Sequence, residues 1–187
     1  RRADLTIMTR PNAGAHKEAH EHVFEAVLFG SGRPVLLTPP GWEGESLSDR
    51  VLIAWNAKRE AVRAVADALP LLARAREVAI ATIDAIPCDG GHGPAPGKDL
   101  AVHLERHGVN VRVNNVDGMG RTEAGAIMDE AAAFDANLII AIVQDAVAEE
   151  ECQFVFHAGV LALQLSIDVN DVRRFESRTK RTGARAA

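Results

Sequence analysis

Short apolar runs alternate with amphipathic stretches along most of the chain, and this alternation limits the fold more than any other feature. ADLTIMT (3–9), PVLLT (34–38), RVLIAW (50–55), VAIATI (78–83) and NLIIAIV (137–143) have the length and composition of buried strands. VNVRVNNV (109–116) adds a strand of period two. Between them lie segments of helical spacing. Residues 16–30 place Val23, Phe24, Val27 and Leu28 on one face and stop at Gly30-Ser31-Gly32. Residues 58–76 place Ala61, Val65, Ala68, Leu69 and Leu72 on one face, with Pro70 expected to bend or break the last part. Residues 98–107 form a helix closed by Gly108, and residues 122–134 one capped by Thr122, without the acid of a capping box at Gly125. Strand and helix in this rhythm predict a doubly wound α/β fold: a parallel sheet covered on both faces, in three α/β/α layers. The polar stretch GWEGESLSD (41–49) reads as a linker.

Composition narrows the function classes. Apolar residues are 47% and charged residues 25%, as in an average globular protein, so wholesale disorder is excluded. No window nears the ~18–20 unbroken apolar residues of a membrane span. RRADLTIMTRPN lacks the apolar core and cleavage site of a secretory signal, and no membrane partner is expected. The net charge of −5 divides unevenly: from Arg173 onward six basic residues face one acid, which leaves −10 for residues 1–172. An acidic body opposes phosphate contacts, so nucleic acid is not the expected partner. The basic tail, 173–187, reads as a solvated appendage or a nucleic-acid arm. Cys88 and Cys152 fit neither a disulfide framework nor a four-ligand zinc site, and read as reduced thiols of a cytoplasmic protein.

The chain also resembles itself. Ala3-Asp4-Leu5-Thr6-Ile7 aligns with Ala136-Asn137-Leu138-Ile139-Ile140, and Val23-Phe24-Glu25-Ala26 with Val155-Phe156-His157-Ala158. Pro34-Val35-Leu36-Leu37 then falls on Ser166-Ile167-Asp168-Val169, which predicts the last strand there. Residues 1–45 therefore read as the strand–helix–strand remnant of one domain, and residues 48–172 as a complete second copy. RVLIAWNAKREAVRAVADALPLLARAREVAIATID, LERHGVNVRVNNVDGMGRTEAGAIMDEAAAFDANLIIA and GSGRPVLLTPP together resemble universal stress proteins of the tandem bacterial type, over roughly Arg1 to Ile142. The resemblance implies a five-stranded parallel, Rossmann-like sheet of the adenine nucleotide alpha hydrolase-like kind. It implies a homodimer or tandem pseudo-dimer, and a cytoplasmic role in the general stress response without catalysis.

In members that bind ATP, an Asp at the end of the first strand meets the adenine, and a glycine-rich stretch after the fourth strand cradles phosphate. Here Asn56 takes the first position; the resemblance places Ala54, Asn56, Ile83 and Val143 on the adenine side of the cleft. VQDAVAEEECQFVFHAGV follows Ile142 with no glycine before Gly159, and with Asp145, Glu149, Glu150 and Glu151 where phosphates would lie. A module without a cofactor is thus the expected form, and ATP binding or hydrolysis the alternative, with Asn56 and Asp84 as its acid–base candidates. Arg121 and Thr122, where a strand meets a helix, are a second candidate phosphate site or simply a turn and cap. Asp168 in the middle of the expected last strand is costly unless that strand is an edge. His16, His20 and His22 read as a solvated helix face or as ligands lacking a distant third partner. Cys88 and His92 read as an exposed thiol beside a histidine, or as a reactive pair.

Overall fold

The computed structural model describes residues 3–10, 17–43, 46–86, 92–143 and 159–164. The chain runs β1 (Thr6–Thr9), α1 (Lys17–Gly30), β2 (Val35–Thr38), β3 (Arg50–Ala54), α2 (Arg59–Leu72), β4 (Glu77–Ile83), α3 (Lys98–Arg106), β5 (Val111–Val116), α4 (Glu123–Phe134), β6 (Leu138–Val143) and β7 (Gly159–Gln164). All the described strands join one seven-stranded sheet in the order β1-β2-β7-β6-β3-β4-β5. The expected α/β alternation is present, and the architecture is a mixed α/β one compatible with a Rossmann-like fold.

Strands β6, β3, β4 and β5 form a parallel block, with Val51 opposite both Val78 and Leu138. Strands β1, β2 and β7 are parallel to one another, Val35 lying opposite Thr6 and Leu161. The two blocks meet at an antiparallel pair, Leu138 opposite Gln164 and Val143 opposite Gly159. The sheet is therefore mixed and larger than the five parallel strands expected, and its last described strand lies ahead of Ser166–Val169. The physical reason is that an apolar run carries no direction: GVLALQ suits a buried strand either way up. The segments aligned to the second half of the repeat, 155–158 and 166–169, lie outside the described residues, as does the tail.

Side-chain alternation divides the core between the two sheet faces. Val51, Ile53, Val78, Ile80, Leu138 and Ile140 pack with Val65 and Leu72 of α2 and Leu100 and Leu104 of α3. Leu52, Ala79, Ala81 and Ile139 face the other way, against Ala131 and Phe134 of α4. Leu36 joins the α2 side, whereas Val35 and Leu37 pack with Leu28 of α1. Helices thus cover both faces. The alanines on the α4 side let that helix sit close to the sheet, which accounts for a core almost without aromatic side chains.

Helix ends follow their chemistry. Pro70 lies inside α2 and removes one backbone donor, yet the helix runs through it to Leu72, where the Ala73 amide still donates to the Leu69 carbonyl at 2.9 Å; α2 ends before the expected Arg76. Thr122 caps α4, its Oγ1 accepting from the Gly125 amide at 3.1 Å. Gly108, at φ +77°, follows α3 in the left-handed conformation that closes helices.

Where the parallel strands begin, charged side chains close on one another. Glu77 binds Arg50 at 3.2 Å and Arg112 at 3.6 Å. Both guanidinium groups also lie against the Phe134 ring, 4.4 and 4.2 Å from its centre. Arg50 Nε donates to the Phe134 carbonyl at 2.8 Å, and the Asn137 side chain accepts from the Arg50 amide at 3.0 Å. These bonds fasten β3, β4 and β5 to the end of α4.

Candidate functional site

The opposite, carboxyl edge of the parallel block holds the candidate site. From β3 the chain builds outward through β4 to β5, then returns to place β6 on the other side of β3. The strand order thus reverses at β3, and in open α/β sheets such a reversal opens a crevice at the carboxyl ends of the strands where ligands bind. A cleft of about 250 Å³ occupies it. Its floor comes from the strand ends: Ala54 of β3 with Trp55 and Asn56 after it, Ala81 and Ile83 from β4, and Ala141 and Ile142 from β6. The first turns of α4 supply the remaining wall, with Glu123, Ala124 and Ile127.

Three of the four residues expected on the adenine side, Ala54, Asn56 and Ile83, are thereby brought together. Val143 ends β6, one position beyond Ile142. The Asn56 side chain has a structural task as well, its Oδ1 accepting from the Lys58 amide at 3.1 Å, so the turn into α2 is held locally. The Asn56 Nδ2 group has no hydrogen-bond partner among the described residues.

Arg121 and Thr122 do not line the cleft. The Arg121 guanidinium forms an ion pair with Asp129, and donates to the carbonyls of Gly118 at 3.1 Å and Asp117 at 3.3 Å. The Thr122 hydroxyl is spent on the helix cap. Asp84, the proposed partner of Asn56 in acid–base chemistry, is also outside the lining; its Oδ1 accepts from the Gly118 amide at 2.8 Å. A side chain at Gly118 would collide with that carboxylate, so glycine permits the close approach of the β4 and β5 loops.

The loops of this edge are conformationally strained. Ala57, Asp84 and Met119 follow β3, β4 and β5 and have φ of +58°, +48° and +48°. An L-residue in that region costs about 1–2 kcal/mol. Such residues concentrate where loops are held in shape for a ligand.

Sequence reasoning missed Glu123. The available signal was its position directly after the Thr122 cap, because the first residue of a helix that follows a strand's carboxyl end faces the same edge as the crevice. Among the described residues no group of three or more His, Cys, Asp or Glu side chains could hold a metal ion. His16 and Cys88, members of the two sequence-level ligand candidates, lie outside the described residues. No described helix is long and apolar enough to cross a membrane.

The fold and the cleft define a mixed α/β protein with a small crevice at a topological switch point. No protein-family model, curated protein or solved structure matches the chain.

Proposed function

We propose that the chain is a non-catalytic binding module of the universal stress protein kind, working in stress regulation by holding a small ligand and by self-association. The observation that carries this reading is the convergence of Ala54, Asn56 and Ile83 on one cleft at the switch point. The polar groups around it are used to shape loops: Asp84 holds Gly118, Thr122 caps α4 and Arg121 binds Asp129. Such an arrangement supports binding by a preformed crevice more than turnover by a mobile acid–base pair.

Titration of the full chain with adenosine, followed by backbone amide resonances, tests the ligand part. The expected result is saturable movement of the Ala54, Asn56, Ala81 and Ala141 signals. Unmoved signals would sink the assignment of this cleft.

Self-association is supported by β1, a sheet edge with Leu5 and Ile7 exposed, Ile7 by 64%. An apolar edge strand is a template for pairing with another chain. Light scattering after size-exclusion chromatography is expected to show a dimer that Ile7→Lys weakens. A wild-type monomer at all concentrations removes this part of the proposal.

The second reading, ATP binding, draws on the same convergence of adenine-side positions. Calorimetric titration with ATP and Mg²⁺ separates the two: tight binding favours the nucleotide, and phosphate release that depends on Asn56 and Asp84 favours an enzyme.

A further inference from the structure

We propose that the cleft prefers a small planar ligand that is uncharged or cationic and carries N–H donors, that it rejects anions, and that Glu123 sets this preference. The proposal rests on the reading of the cleft as a ligand site.

Size comes first. At about 250 Å³ the cleft falls just under the range of pockets that enclose drug-sized ligands, about 300–1,000 Å³. Ala54, Ala81, Ile83 and Ala141 give it small apolar walls, which suit the faces of a single ring system.

Polarity decides the rest. Glu123 is the one charged side chain among the described lining residues, and a carboxylate only accepts hydrogen bonds. It has no ion-pair partner among the described residues. Of the cations nearest in sequence to the lining residues, Arg121 is committed to Asp129 and two loop carbonyls and Arg59 to Glu60, while Lys58, at the start of α2, is exposed and does not line the cleft. At the helix start Thr122 takes the Gly125 amide, and the Glu123 and Ala124 amides that remain lie beside the Glu123 carboxylate itself. Asn56 adds a donor through Nδ2. Glu123 is solvent-exposed, and an anion in this cleft would therefore meet an unneutralised carboxylate whose repulsion is partly screened by water. An amidine or aminoheterocycle would instead present paired N–H groups that a carboxylate accepts in parallel.

Benzamidine and benzoate test this directly, having the same shape and opposite charge. In amide-resonance titrations of the full chain, benzamidine is expected to move the Ala54, Asn56, Ala81 and Ala141 signals saturably, and benzoate at equal concentration to leave them in place. Glu123→Gln, which keeps the shape of the side chain, should weaken benzamidine about three- to tenfold, in line with a partly exposed charged hydrogen bond. Glu123→Lys should reverse the order of the two probes. Circular dichroism checks that both variants stay folded. Benzoate binding the wild type as well as benzamidine does, or Glu123→Gln leaving benzamidine unaffected, overturns the proposal. So does a cleft that answers to adenosine but to neither probe, and in these cases the cleft remains a ligand site. If adenosine, benzamidine and benzoate all leave the cleft signals unmoved, the underlying reading fails and the proposal fails with it.

Discussion

The two edges of the parallel block use polar side chains in opposite ways. At the amino edge Glu77, Arg50, Arg112 and the Phe134 ring close on one another, with Phe134 fully buried beneath the two guanidinium groups. At the carboxyl edge Asp84, Asn56 and Thr122 accept from backbone amides of loops and helix starts, and a crevice stays open between the strand ends. Of the left-handed non-glycine residues among those described, Ala57, Asp84 and Met119 fall in carboxyl-edge loops, and Asp135, which ends α4, lies at the amino edge. One edge is built to hold strands together, and the other holds a shape that local propensity alone would not choose.

Substitutions can break this contrast. The largest effect is expected from Phe134→Ala, which empties a fully buried ring site and removes the platform under Arg50 and Arg112. A loss of about 3–5 kcal/mol is expected in urea denaturation. A loss below 1 kcal/mol, on the order of an exposed site, would mean that the amino edge is not a clamp. Gly118→Ala forces a methyl group against the Asp84 carboxylate. It should cost about 1–3 kcal/mol and weaken ligand binding at the cleft, whereas Phe134→Ala should spare binding in the molecules that remain folded. Equal effects of both on binding would erase the functional distinction between the edges.

Ala57→Gly works in the opposite direction. It relieves a left-handed alanine at φ +58° and is expected to raise stability by about 1 kcal/mol. A thermal melt that moves down would show that the turn after β3 carries no strain. The smallest effect concerns Glu60 in the first turn of α2. A hydrogen bond from Arg59 holds its carboxyl below the ordinary carboxylate range. A lowered value in the folded state means that the unfolded chain binds the proton more readily. The contribution is therefore complete above the ordinary Glu range and is lost as the pH falls through the lowered value. Glu60→Gln should reduce stability slightly at neutral pH and not at all in strong acid. A larger loss in acid than at neutrality would reverse the assignment.

Much of the fold was legible because strand and helix periodicities are local. RVLIA and LIIAIV announce buried strands by composition, and Thr122 announces the start of α4 by its hydroxyl. Pro70 predicts a bend or break in the last part of α2, and the helix runs through it before ending at Leu72. Ala54, Asn56 and Ile83 could be proposed as neighbours from the strand-end positions they share with a familiar pattern. For Glu123 the local signal, its place after the Thr122 cap, reached only as far as the crevice edge, and the packing of α4 across the sheet brings it into the cleft.

Residue by residue, the sequence determined which segments become strands and helices, where several of them stop, and which faces are apolar. Those properties depend on backbone preferences and on side chains a few positions apart. Tertiary structure alone decided that β7 runs against β6, that one seven-stranded sheet contains both the first 40 residues and the rest, and that Glu123 joins Asn56 in the cleft. These depend on which surfaces meet across long stretches of chain. An apolar strand satisfies its backbone hydrogen bonds in either direction, so its neighbours, and not its residues, choose its orientation.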